Sequence, residues 1–256
     1  MSLARNALKN FFQQNRGQLQ LPTSVVFFRD TSTQTQPVPT RDGNRLVEAM
    51  NSQPSIPRIV DKSQGVNGAQ ERLDLAMNTL GGLIARERKD PGRKLLIWMS
   101  PGWPLLTMPG MNISTKEQRF IFSTIVALSW ELRESRITLY SVDPLGLSDV
   151  LSTRTRLWEG YVKGVPSSNK AEGVNLALQV LATQSGGRAL NSSNDVAGLI
   201  ASCLLDAKAY YTLSFDAPPA DHSNEYHSIE IKVDKPDLKA RTRTGYYAQP
   251  YQTTGR

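Results

Sequence analysis

The chain has 256 residues, 39% hydrophobic and 21% charged, which is enough to bury a sizeable core. No apolar run approaches the ~20 residues of a membrane span, and the first twenty residues lack the uninterrupted apolar core and cleavage site of a signal peptide. A single cysteine, Cys203, excludes an internal disulfide, and the net charge of +7 is scattered in groups of mixed sign such as Arg86-Glu87-Arg88-Lys89-Asp90.

Apolar positions at Leu3, Ala4, Ala7, Leu8, Phe11 and Phe12 recur with helical spacing and predict a helix over 3–15, stopped by Gly17. Val25-Val26-Phe27-Phe28 reads as a strand ending at Arg29-Asp30. A polar, proline-bearing stretch over 31–40 precedes a short helix candidate at 44–50, and 51–68 reads as loop around Pro54, Pro57 and Gly65. A long helix is predicted from 69 to 89, with Leu73, Ala76, Met77, Leu80 and Ile84 on one face, and Pro91-Gly92 breaks it.

The next strand, Leu95-Leu96-Ile97-Trp98-Met99, is continuously apolar and reads as buried on both faces, and Ser100-Pro101-Gly102 stops it abruptly. In open α/β sheets ligands sit beyond such strand ends, so Ser100 is the first candidate position. Ser114 and Glu117 have capping-box spacing at the start of a helix over 115–134, whose stripe is Ile121, Ile125, Leu128 and Leu132. A strand over 136–142 stops at Asp143-Pro144, and 145–172 is irregular. A helix over 176–184 ends at Gly186-Gly187, and 188–190 is a strand stub. Asn194 or Asp195 then caps a helix that carries Cys203 beside Val196, Leu199, Ile200 and Leu204, the setting of a buried, inert thiol.

The last part changes character: 210–215, 227–233 and 240–247 are strand candidates with no helix between them. The pattern predicts an α/β fold, a doubly wound, mostly parallel sheet with helices on both faces over 1–208. Residues 209–256 form a C-terminal antiparallel strand extension packed on the edge of the same sheet. Arg241 and Arg243 alternate with threonines and read as the outer face of an edge strand rather than a nucleic-acid site.

Several catalytic signatures are absent: there is no G-x-G-x-x-G, no phosphate-binding P-loop, no G-x-S-x-G elbow and no H-E-x-x-H. The two histidines, His222 and His227, have a spacing that suits neither a helical nor a finger-type zinc site. Asp30-Thr31-Ser32 is a D-x-S after a strand; such oxygen-rich loops suit Mg²⁺, and a turn-initiating aspartate with hydroxyl capping explains the same residues.

Arg93-Lys-Leu-Leu-Ile-Trp-Met-Ser-Pro-Gly-Trp103, then Leu132-Arg-Glu-Ser-Arg-Ile-Thr-Leu-Tyr-Ser-Val142, then Leu181-Ala-Thr-Gln-Ser-Gly-Gly187 stand in a characteristic order. The ending runs from Tyr210-Tyr-Thr-Leu-Ser-Phe215 through His227 and Ile231-Lys-Val-Asp-Lys-Pro236 to Arg243-Thr-Gly-Tyr-Tyr247. In this order the chain resembles the von Willebrand factor type A (vWA) fold, and more narrowly the bacterial VWFA-related proteins of acidobacterial type, over nearly its whole length. The resemblance implies a Rossmann-like sheet and a protein-binding function, often exercised through a metal-ion-dependent adhesion site. That site takes D-x-S-x-S after the first strand, a threonine from a second loop and an aspartate after the fourth strand.

This chain departs at each point. Its fourth-strand position is Ser100, a much weaker Mg²⁺ ligand than a carboxylate, and its second loop, Gly65-Val66-Asn67-Gly68, has no threonine. If Val25–Phe28 is the first strand, then Asp30, Ser32 and Gln34 form a degraded D-x-S-x-S. The helix over 3–15 that precedes it favours the second strand instead, with the first strand missing; either the open reading starts late or another segment fills its place. Family members carry an export signal upstream, which implies a periplasmic or extracellular protein.

The expectation is therefore a non-enzymatic vWA-like interaction domain with a degenerate or absent metal site and no resident cofactor. Mg²⁺ is the one ion considered, at Asp30, Ser32, Ser100 and Asp143. Its partner would be another protein, with no nucleic acid and no membrane span. The rival is a hydrolase or nucleotide-binding enzyme using a strand-end pocket at Ser100, Asp143 and Asp30.

Overall fold

Helix α1 (Ser2–Gln13) turns Ala7, Leu8, Phe11 and Phe12 toward the protein interior, two adjacent pairs one turn apart. It gives way to a tight turn, Gln14–Gly17, in which Asn15, Arg16 and Gly17 take left-handed backbone angles (φ 51°, 58° and 79°). In the computed structural model, which describes residues 2–29, 32–35, 38–52, 65–144, 153–191, 193–238 and 240–250, this turn leads into β1 (Gln18–Thr23). Its alternation keeps Leu19 and Leu21 half-buried and Gln18 and Gln20 exposed.

β2 (Val26–Arg29) pairs antiparallel with β3 (Ser32–Thr35), and β1 pairs antiparallel with β4 (Thr40–Asp42). This corrects the assignment of Val25–Phe28 to the parallel sheet, as first strand or second. Ser32 to Thr35 supplies an antiparallel partner almost at once, and a short loop costs little closure entropy. Asp42 ends β4 and caps α2 (Gly43–Asn51), its Oδ1 accepting from the amides of Asn44 and Arg45 at 2.9 and 3.4 Å. Gly43 has no alternative: a Cβ there would lie 2.0 Å from the Phe12 carbonyl oxygen. Leu46, Val47 and Met50 of α2 then close a small core with Phe12.

The chain next alternates: α3 (Val66–Glu87), β5 (Lys94–Met99), α4 (Thr115–Glu134), β6 (Ile137–Val142), α5 (Leu178–Gln184), β7 (Ala189–Leu190) and α6 (Val196–Lys208). The three strands form one parallel sheet in the order β5-β6-β7, with Leu96 opposite Leu139 and Ser141 opposite Ala189. Alternate side chains leave its two faces. Leu96, Trp98, Ile137 and Leu139 meet α3, α4 and α5 on one side. Leu95, Ile97, Met99, Tyr140 and Val142 meet α1 and α6 on the other. The fold is thus α/β with helices on both faces, each buried Leu or Ile contributing about 1.5–3 kcal/mol.

The sheet differs from expectation in one respect. The strand buried throughout is β6, whereas in β5 only Trp98 is buried and the others are half-buried. β5 is an edge: Lys94 and Ser100 direct their amides to Arg136 and Val142, and among the described residues no strand pairs along its other side.

After α6 the region over 210–220 has no regular secondary structure, so the strand expected at 210–215 does not form. β8 (Glu225–Ser228) and β9 (Gly245–Ala248) are shorter than predicted and pair antiparallel with each other. The pair leans on α4 through Tyr247, whose ring meets Phe122 edge-on at 5.9 Å and Tyr226 at 5.3 Å. It does not extend the parallel sheet, because these tyrosines fill a gap beside α4 and the Tyr247 hydroxyl accepts from the Val165 amide at 3.0 Å. No helix among the described residues is long and apolar enough to cross a membrane.

Candidate functional site

The parallel sheet brings Ser100 and Asp143 to the ends of neighbouring strands. The Ser100 amide donates to the Val142 carbonyl at 3.1 Å, one residue before Asp143, so the two candidates lie side by side. The Ser100 hydroxyl serves its own turn, accepting from the Gly102 amide at 3.3 Å. Gly102 holds φ at +125°, where an L side chain is strained, and a Cβ would also meet the Gln179 amide group at 2.8 Å. Asp143 is 4% exposed and its amide donates to the Leu190 carbonyl at 2.9 Å.

Asp30 lies outside the described residues, and Ser32 stands in β3, in a hairpin strand rather than a strand-end loop. Among the described residues no three His, Cys, Asp or Glu side chains gather as metal ligands would. What does gather at the end of β5 is aromatic. Phe28 packs on Trp98 at 4.8 Å, and Trp98 on Trp103 edge-on at 5.4 Å and 78°. The sequence places Trp98 and Trp103 in one stretch, but only the β2–β3 hairpin adds Phe28.

His227 sits between Glu225, 3.2 Å from Nε2, and the Tyr246 hydroxyl, 3.3 Å from Nδ1, within the β8–β9 pair. The carboxyl of Glu225 is held below its ordinary pKa mainly by the Asp221 amide that donates to it, at 2.7 Å.

The sequence reading missed a groove between α4 and the C-terminal strands. One cavity of about 500 Å³ is lined by Trp130, Glu131, Arg133, Pro218 and Tyr246 among others. A second, of about 290 Å³, is lined by Leu213, Phe215 and Ile229 and shares Arg133, Ala217, Arg243, Gly245 and Tyr246 with the first. The two adjoin through these shared residues along one groove, and neither is lined by Ser100 or Asp143. Arg243 forms part of its floor. Its Nη2 donates to the carbonyls of Leu132 and Ile137 at 3.0 and 2.9 Å, and burial, with Arg133 and Arg93 as like-charged neighbours, lowers its pKa to about 10.

The C-terminal segment that supplies Leu213 and Phe215 to this groove exposes several large apolar side chains. Of the thirteen large hydrophobic side chains exposed among the described residues, seven lie between Leu205 and Leu238, including Tyr210, Tyr211, Leu213 and Phe215, with Tyr211 92% exposed. The alternating Tyr-Thr-Leu-Ser-Phe run was the available signal: a strand pattern with no partner strand leaves its apolar side uncovered.

No family model matches the chain, and comparison with curated proteins and with solved structures likewise gives no match.

Proposed function

We propose that the chain is a non-enzymatic, vWA-like protein-interaction module whose strand end holds no working metal site. The vWA-like reading is supported by the succession of β5, a Ser-Pro-Gly stop, the capped helix α4, β6 and a short β7, with helices on both faces of the sheet. The observation that carries the interaction reading is the concentration of exposed large apolar side chains between Leu205 and Leu238. Large exposed apolar patches mark protein contacts, and Leu213 and Phe215 of this segment share one cavity lining with Ile229 and Tyr246. The rival hydrolase or nucleotide-binding reading needs a cleft at Ser100 and Asp143. Ser100 is occupied by its own turn, and the groove lies elsewhere.

The test is partner capture from the native host extract by the full chain and by a Tyr211→Ser/Leu213→Ser/Phe215→Ser variant. The wild type retains a partner that the variant loses while its circular dichroism is unchanged. Equal capture by both, or release of product from ester or nucleotide substrates by the purified chain, overturns the reading.

A further inference from the structure

We infer that the groove between α4 and the C-terminal strands binds an acidic peptide carrying apolar side chains. This rests on the interaction reading above and names the chemistry of the partner. The charge is uneven. The groove's lining carries two arginines, Arg133 and Arg243, against one carboxylate, Glu131. Arg243 is served by neutral carbonyls, with Arg133 and Arg93 near enough to disfavour its charge. Arg133 has an ion-pair partner in Glu134, at 3.6 Å with both groups more than 40% exposed, a pair worth little in water. An incoming carboxylate would meet guanidinium groups whose planar fork suits a bidentate contact.

The walls specify the rest of the ligand. Trp130, Phe215, Pro218 and Tyr246 give apolar and aromatic surface along both cavities. One side of the groove is the segment around Phe215, which pairs with no strand, and the other is α4. A segment alternating acidic and apolar residues meets both features, with its apolar side chains on Trp130 and Tyr246 and its carboxylates on Arg133. A nucleic acid would call for a broad basic face, whereas this lining carries two arginines beside a glutamate among apolar and aromatic side chains.

The test is fluorescence anisotropy of a fluorescein-labelled peptide of alternating glutamate and phenylalanine, titrated with the full chain. The expected Kd is on the order of 10 µM, weakened about tenfold or more by Arg133→Glu and several-fold by Trp130→Ala. Both residues are exposed at the groove's rim, and unchanged circular dichroism reports the fold. Undetectable binding overturns the proposal. So does equal binding by the Arg133→Glu chain, or equally tight binding of an all-glutamate peptide or a single-stranded oligonucleotide. If partner capture depends on Tyr211, Leu213 and Phe215 while this peptide fails to bind, the groove assignment falls and the interaction reading stands.

Discussion

The Tyr140 hydroxyl donates a 2.7 Å hydrogen bond to the Asp206 carboxylate, tying the central strand β6 to helix α6. Arg241 contacts the same carboxylate oxygen, and Arg188 Nε lies 3.9 Å from it. One carboxylate therefore gathers the sheet, its last helix and the C-terminal segment. Hydrogen bonds to charged groups contribute about 1.5–3 kcal/mol. Tyr140→Phe accordingly lowers the free energy of unfolding by about 2 kcal/mol, read from urea denaturation. A variant as stable as the wild type would remove this bond from the account of the core.

Cys203 gives a pH-dependent signature. Burial pushes its thiol from the ordinary 9.0 up to about 11, so the folded chain holds the proton more tightly than the unfolded chain. Its contribution is fully present below pH 9 and is lost as pH rises through about 11. Between pH 8 and 11 the wild type therefore loses about 2 kcal/mol more stability than Cys203→Ala, since a tenfold difference in proton affinity is worth about 1.4 kcal/mol. Parallel profiles for the two chains would contradict the burial. At neutral pH a disulfide reagent leaves the native thiol unmodified and labels it in urea.

Helix α4 begins with a reciprocal cap: Ser114 Oγ accepts from the Glu117 amide at 3.2 Å, and Glu117 Oε2 accepts from the Ser114 amide at 2.7 Å. Ser114→Ala costs about 1 kcal/mol of stability. The hydrogen bonds from the Ser114 side chain and backbone hold the Glu117 carboxyl below its ordinary range. Its contribution is present above that range and is lost as pH falls, so thermal melts of Ser114→Ala show a shallower loss on acidification than the wild type. Identical acid slopes would mean the cap does not form in solution.

The sequence made much of this architecture legible where periodicity and local chemistry agree. Ser114 and Glu117 carry their cap in their spacing, Asp195 caps α6 through the Gly198 amide, and the stripe from Ile121 to Leu132 is buried as drawn. Less legible was anything set by pairing at a distance. The apolar run of β5 reads as a strand buried on both faces, yet its burial also depends on a neighbour along its far side, which a composition pattern does not encode. β1 escaped notice because Gln18, Gln20 and Pro22 dilute its two leucines. Tyr210 to Phe215 has a strand's alternation and remains unpaired, since alternation promises a strand only if an edge is offered to it.

At the candidate site the sequence brought Ser100 and Asp143 to light through the stop signals after their strands, and the parallel register places them together. It held no hint of the groove, because Trp130, Arg133, Phe215 and Arg243 come from three separate segments and meet only once Tyr247 has seated β9 on α4.

The central claim is a binding module whose strand end does not hold a metal ion. Isothermal titration of the full chain with Mg²⁺ and with Mn²⁺ addresses it most directly. The account predicts no saturable heat with either ion. A one-to-one site of micromolar affinity, lost on Asp143→Asn, would contradict it.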